Sequence, residues 1–379
     1  MKKTSHFLYK VVEDKTIVWL SSNNEYLVLE NTTADILKRL DKGKSVKEIA
    51  EALSKKLSVP LDKTIDFILD LEKRIYISKN NDNLGIINDY RVFKVPKEFE
   101  YVKYYKINNI TFKMSFSSEV ELSLVHPKFA HLVVDERSKV DHSLQVFVNN
   151  KYIYFYADKK FIGAWSNKEL HYFQGKFSME LIQKIHSKEE HEWMGVFHAS
   201  AVSDGKKSVL FLGDSGNGKS TSLALLQANG FTCLADDFVP MDVKKKHIYS
   251  FPASISIKKN SLKTLLPIYP ELATTAEYNF KRLNKIVRYL KPNNNNFLAN
   301  LPCNEIVFIK YEKGADLNCT KISKIDAFRQ LIPDSWLSPD IENAQIFLDW
   351  FSSLSCYQIT YSENKKMINT VYKIFKNEL

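Results

Sequence analysis

The chain has 379 residues, 44% hydrophobic and 26% charged, a balance that excludes a disordered or fibrous protein and is long enough for two or three domains. No run approaches the roughly 20 apolar residues that span a bilayer, and the N-terminus MKKTSHFLYKVVEDK lacks the apolar core of a signal peptide. Cys233, Cys303, Cys319 and Cys356 are scattered, and the formal net charge of +10 comes from lysines spread along the whole sequence, so a cytoplasmic protein without structural zinc is expected, with a surface suited to solubility or to acidic ligands.

Residues 1–85 read as one small α+β unit. Two strand-like runs, Thr16 to Leu20 and Glu25 to Leu29, flank Ser21-Ser22-Asn23-Asn24, which predicts a hairpin. Asn31-Thr32-Thr33 is expected to cap a helix from Ala34 to Leu40. Ser45 with Glu48 makes a capping-box pattern ahead of a second helix, in which Val46, Ile49, Ala50 and Leu53 recur at helical spacing. A third helix is expected from Asp62 to Lys73, and Ile75-Tyr76-Ile77 reads as a closing edge strand. That order describes a winged-helix-like module.

Lys79 to Asn88 is polar and turn-rich, the composition of a linker. Residues 86–195 are rich in short strands: Thr111 to Phe116, His131 to Val134, Leu144 to Val148 and Tyr152 to Tyr156, the last two joined at Asn149-Asn150. They predict a mostly antiparallel sheet that extends or bridges to the next domain, and no chemistry attaches to them.

Residues 196–379 carry an α/β pattern and the most informative stretch of the chain. Gly213-Asp214-Ser215-Gly216-Asn217-Gly218-Lys219-Ser220-Thr221 is a G-x-x-x-x-G-K-S loop. It follows the strand-like run Val209 to Leu212 and precedes a helix-forming stretch, Thr221 to Ala228. Backbone N–H groups and a helix N-terminus then converge on an anion, so these nine residues predict a nucleotide-phosphate cradle. Lys219 would reach the β- and γ-phosphates and the Ser220 hydroxyl would stand on Mg²⁺. Beyond Lys219, with only sixteen residues between it and Asp236, the strand-like Phe231 to Ala235 ends in Asp236-Asp237. Two adjacent carboxylates beside a γ-phosphate divide naturally into a metal-side acid and a proton acceptor. Upstream, His198 lies ahead of a hairpin turn at Asp204-Gly205-Lys206-Lys207, where a structural and a functional histidine look alike. Further on, Asn293 to Asn296 reads as a mobile surface loop and Glu305 to Lys310 as a buried strand. Asp326 to Ile332 and Glu342 to Leu354 read as helices, and Cys356 to Tyr361 as a late strand. The basic stretch Lys281 to Tyr289, with Lys285 and Arg288, suits either a clamp for phosphate or acidic substrate or a solvated helix face.

Two resemblances add to this. YLVLENTTADILKRLDKGKSVKEIAEAL and FILDLEKRIYI are similar to the PqqD family, peptide-recognition elements of systems that modify ribosomally made peptides. The similarity implies that a leader peptide adds a strand beside the hairpin and rests on the third helix. His198, the loop GDSGNGKST and the tract LADDFV resemble the HPr kinase/phosphorylase family and its phosphoenolpyruvate-carboxykinase-like relatives. On that resemblance Asp237 is the catalytic base, His198 positions or polarises it, Asp236 is the metal-side acid and Ser220 the metal-binding hydroxyl. The family's glycine-rich signature loop with its metal-binding glutamate is missing; Tyr249 to Lys258 (YSFPASISIK) stands there instead, which argues against HPr as substrate.

The expected fold is therefore α/β, a mixed-sheet P-loop kinase core of HPr kinase type behind a winged-helix-like domain. The expected activity is ATP- and Mg²⁺-dependent phosphorylation of a serine or threonine hydroxyl in a precursor peptide, as in lasso-peptide-type pathways. Two alternatives stand beside it: a kinase for a free hydroxy amino acid, and a nucleotide-dependent regulatory binder. The lysines of the first unit alternate with acids, which does not favour a nucleic-acid footprint. No membrane partner is expected, and a homo-oligomer is left open.

Overall fold

The computed structural model describes residues 7–77, 94–136, 139–280 and 285–379. The expected linker from Lys79 to Asn88 lies outside them. The architecture is mixed α/β, with mixed sheets and ten α-helices among the described residues. None of these helices is long and apolar enough to cross a membrane. Two compact units emerge. One joins the described residues up to 77 with 323–333 and 337–353; the other holds the rest.

In the first unit, a three-stranded antiparallel meander replaces the expected two-stranded hairpin. Phe7–Val12 and Glu25–Glu30 flank Lys15–Leu20, whose Ile17, Val18, Trp19 and Leu20 are all buried. The helix expected at Ala34 begins earlier. It spans Asn31–Asp41, so Asn31 does not cap it; the Asn31 Oδ1 instead accepts from Thr16 Oγ1 at 2.7 Å. Ser45 and Glu48 do form the reciprocal capping box of helix Val46–Leu57.

The third helix, Leu61–Glu72, runs on through a wider helical turn, Lys73–Ile77, rather than into an edge strand. That register buries Ile75 against Phe7, Val18, Leu20, Ala34 and Leu37, and pairs Arg74 with Asp70 at 2.8 Å one turn back. Helices Lys324–Leu331 and Ile341–Ser353, far along the chain, complete this unit. The Tyr26 ring meets Phe328 and Phe347 edge-on, with centroids 5.9 and 5.4 Å away. Lys10 pairs with Asp349 at 2.6 Å.

The second unit contains two large sheets. The strand-rich segment forms a six-stranded sheet of its own, in the order Val133–Val134, Tyr101–Ile107, Ile110–Phe116, His142–Asn149, Tyr152–Ala157, Lys160–Ser166. All neighbours are antiparallel except Ile110–Phe116 with His142–Asn149, because helix Glu119–Phe129 carries the chain across between them. None of these strands pairs with the sheet that holds the glycine-rich loop. Helix Leu170–His186 covers one face, with Phe173 and Phe177 against Phe155 at 6.1 and 5.1 Å.

The other sheet has ten strands, and Asn300–Tyr311 organises it. Its first residues pair antiparallel with His247–Tyr249. Its remainder lies parallel between Ser208–Leu212 and Ser355–Tyr361. Ser200–Ser203 and Thr232–Asp236 extend the sheet beyond Ser208–Leu212, both pairings antiparallel. Helices Lys219–Ala228 and Asn364–Phe375 pack on it through Leu223, Leu225, Leu226, Val371, Ile374 and Phe375. A buried parallel centre of this kind explains the near-continuous apolar runs VLFL and EIVFI.

The asparagine run is a loop, with Asn293, Asn295 and Asn296 exposed, and two of its members are tied to the fold. Asn293 receives the Cys233 N–H at 2.9 Å and donates to Phe231 O at 2.8 Å, and its own N–H bonds Gln227 Oε1 at 2.8 Å. Asn294 is buried and donates to Ser250 Oγ at 2.6 Å. Side-chain amides here satisfy main-chain groups that have no sheet partner.

Candidate functional site

The loop Gly213–Gly218 leaves the carboxyl end of Ser208–Leu212 and enters helix Lys219–Ala228, the end of an open α/β sheet where ligands bind. Its shape is fixed at both sides. The Asn217 N–H bonds Asp214 O at 3.1 Å, and the Tyr311 N–H bonds Asn217 O at 2.9 Å. Gly213 has φ +147°, and a Cβ there would lie 2.6 Å from Ile309 O, so only glycine lets the loop turn against the central strand. Gly216, at φ +106°, has open space where its Cβ would be. Lys258 Nζ donates to Ser215 Oγ at 2.8 Å, and Thr221 Oγ1 meets Ser261 Oγ at 2.7 Å. Lys219 Nζ donates to Gly213 O at 2.6 Å, folded back along its own loop.

Thr232–Asp236 delivers the first acid beside the helix start. Ser220 Oγ donates to Asp236 Oδ2 at 3.1 Å, Ser200 Oγ to Oδ1 at 2.6 Å, and the Ser256 N–H to Oδ2 at 3.2 Å. Asp236 is 2% exposed. Burial, and then the neighbouring Asp237 charge, push its carboxyl up to about 6, against the pull of those three hydrogen bonds. Thus the two residues expected on the metal side, Ser220 and Asp236, are in contact. Among the described residues no group of three or more His, Cys, Asp or Glu side chains gathers as a metal cage. One carboxylate with one hydroxyl fits a Mg²⁺ ion, which takes its remaining ligands from water and substrate phosphates.

Asp237 follows at a tight bend. Its φ is +66°, and the Phe238 N–H bonds back to Asp236 O at 2.9 Å, closing a three-residue turn with Asp237 at its centre. That left-handed backbone is uncommon away from glycine. Its Oδ2 lies 3.8 Å from Lys128 Nζ, and the lysine also sits over the Phe238 ring, 5.3 Å from its centroid. His198 is in the bend after Trp193–Phe197, not on a strand. Its Nδ1 donates to the main-chain oxygen of Asp237 at 3.3 Å, a bond that holds the turn.

The two basic candidates further along differ from the rest. Lys285 opens strand Lys285–Leu290, paired with Ile255–Lys258, so of the two readings the solvated helix face does not hold for these residues. Arg288 on that strand donates to Leu272 O and Ala273 O at 2.5 and 2.8 Å and lies 3.5 Å from Glu277. Beside it, burial raises the Tyr289 phenol far above its ordinary range, with the Asp237 and Asp236 charges adding to the effect.

Sequence reasoning missed Lys128, Lys258, Ser200 and Ser256. Lys128 comes from helix Glu119–Phe129 of the six-stranded region, and as one cation among 54 lysines and arginines it carries no local signal. Ser200 lies on the strand that pairs with Thr232–Asp236, directly opposite Asp236, a register that only the fold supplies. No family model matches the chain, and no curated protein matches it as a relative.

Proposed function

We propose that this chain is an ATP-dependent kinase of HPr kinase type that phosphorylates a serine or threonine hydroxyl of a ribosomally made peptide. The observation that carries this reading is the contact of Ser220 with Asp236 at the mouth of a G-x-x-x-x-G-K-S loop, with Asp237 next in the chain. Bound with ATP, Mg²⁺ would neutralise phosphate charge and fix the β- and γ-phosphoryl groups. Ser220 and Asp236 are the residues that would hold it. Loop N–H groups from Gly213 to Thr221 cradle the phosphates, and Lys219 exchanges its bond to Gly213 O for a phosphate oxygen. Asp237 takes the proton of the attacking hydroxyl, and Lys128 keeps that carboxylate oriented. His198 holds the turn that aims it.

The first unit supports a peptide acceptor. Strand Glu25–Glu30 pairs only with Lys15–Leu20 among the described residues, which leaves one edge for an added strand. Phe67 on helix Leu61–Glu72 is exposed, 49%, an apolar side chain that a leader helix or strand can cover. The reading places the protein in the cytoplasm, where ATP and precursor peptide meet.

The test is transfer of the γ-phosphoryl group of labelled ATP to a short peptide encoded beside this gene. Transfer to free serine or threonine instead would make it a small-molecule kinase. Tight nucleotide binding with no transfer to either would make it a nucleotide-dependent binder.

A further inference from the structure

Away from the loop, a cavity of about 340 Å³ opens in the second unit between the turn after Tyr101–Ile107, the segment His131–Val134 and the asparagine run. Its charged lining consists of Lys106 and Lys291, and no carboxylate lines it. Two further nitrogens on residues of its lining are buried without a partner: Asn108 Nδ2 and His131 Nε2.

Their orientation is fixed by what their other atoms do. Asn108 Oδ1 accepts the Phe297 N–H at 3.2 Å, so the amide turns its NH₂ the other way. His131 Nδ1 lies 2.8 Å from Ser254 Oγ. With that hydroxyl donating, the neutral ring carries its proton on Nε2. An unpaired buried polar nitrogen is costly, and two of them beside two ammonium groups, in a space roomy enough for several water-sized groups, suit a ligand that carries negative charge.

We propose that this cavity is a binding site for a small oxyanion, a carboxylate or phosphate group, held by Lys106, Lys291, Asn108 and His131. The site stands apart from the kinase reading, since none of these residues belongs to the loop or the acid pair. A connection to that region exists all the same. Ser254, which bonds His131, also donates its N–H to Lys128 O at 2.8 Å, and Lys128 is the cation beside Asp237. An acidic group seated here is one chain of contacts from the aspartate, which suits a carboxylate of an acceptor or an anionic effector.

The experiment uses the full chain with isotope-labelled histidine and follows the His131 ring by NMR during titration with inorganic phosphate and, separately, acetate. The binding site predicts a saturable shift of the His131 resonance with at least one of the two, and which anion acts identifies the class. The doubly substituted Lys106→Ala, Lys291→Ala protein changes two exposed side chains; it should fold and should lose the shift. Inorganic phosphate also suits the glycine-rich loop, so Lys219→Ala serves as a control and should retain the shift. No shift with either anion, an undiminished shift without the two lysines, or its disappearance in Lys219→Ala would each overturn the proposal.

Discussion

The Ser220 hydroxyl and the Asp236 carboxylate lie 3.1 Å apart, joining the first turn of helix Lys219–Ala228 to the end of strand Thr232–Asp236. The hydroxyl ends the glycine-rich loop, and the carboxylate is the deepest acid near it. Only one helix separates them in sequence, and in the sheet the strand that carries the acid is two places from the one that feeds the loop, with Ser200–Ser203 between them. The functional reading rests on this pair.

Ser220→Ala removes the hydroxyl and leaves Asp236 its bonds from Ser200 and the Ser256 N–H. Losing one partner of a charged site is worth ~1.5–3 kcal/mol, so Mg²⁺-supported ATP affinity should drop about 10- to 150-fold. Affinity measured with a metal chelator present should barely change. Titration with a fluorescent ATP analogue under both conditions decides it, and an equal loss in both would rule out a metal role for this hydroxyl.

The raised Asp236 carboxyl makes a statement about stability. Its ordinary value is 3.8 and its folded value is about 6, so the native state holds this proton more tightly than the unfolded chain does. That contribution is fully present below the unfolded value and is lost as pH rises through the folded one. Denaturant unfolding across this window should show the wild type losing stability relative to Asp236→Asn, whose side chain never ionises. A constant difference between the two proteins would mean that Asp236 is not held protonated by its surroundings.

The glycines of the loop should separate by surroundings. Gly213→Ala combines a φ of +147° with a Cβ 2.6 Å from Ile309 O, whereas Gly216→Ala meets open space. The strain of such a backbone is ~1–3 kcal/mol, and the clash adds to it at Gly213 alone. Thermal unfolding should place Gly213→Ala below Gly216→Ala, with the wild type highest. The reverse order would show that the loop does not pack against the central strand as described.

Lys128→Met keeps the aliphatic stem over Phe238 and deletes the charge 3.8 Å from Asp237. Turnover should fall by about tenfold, equivalent to ~1.4 kcal/mol of barrier, with ATP affinity unchanged. Lys128→Arg should recover part of it. Equal turnover in all three proteins would make the lysine a packing element only.

Much of this site was legible because its chemistry is local. The loop, its flanking strand and helix, and Asp236-Asp237 fall within a short stretch, and strand period and turn residues announce each piece. What escaped depends on distant partners. Lys128 approaches Asp237 from a region whose pattern says only strand and helix. Asn293 looks like loop composition until Cys233, Phe231 and Gln227, some 60 residues earlier, supply its partners. Ile75 alternates with its neighbours like a strand, yet its burial is met by continuing the helix. Helices Lys324–Leu331 and Ile341–Ser353 were readable as helices, whereas their membership of the first unit depends on rings that meet Tyr26 across some 300 residues.

The most direct measurement compares wild type with Asp237→Asn in phosphoryl transfer from γ-labelled ATP to the neighbouring short peptide, with the product read by mass spectrometry. The kinase reading predicts one phosphoryl group on a serine or threonine for the wild type. For the variant it predicts a fall in turnover of about 10²- to 10⁴-fold with ATP still bound. Undiminished transfer by the variant, or a wild type that binds ATP and phosphorylates no hydroxyl acceptor, would contradict it.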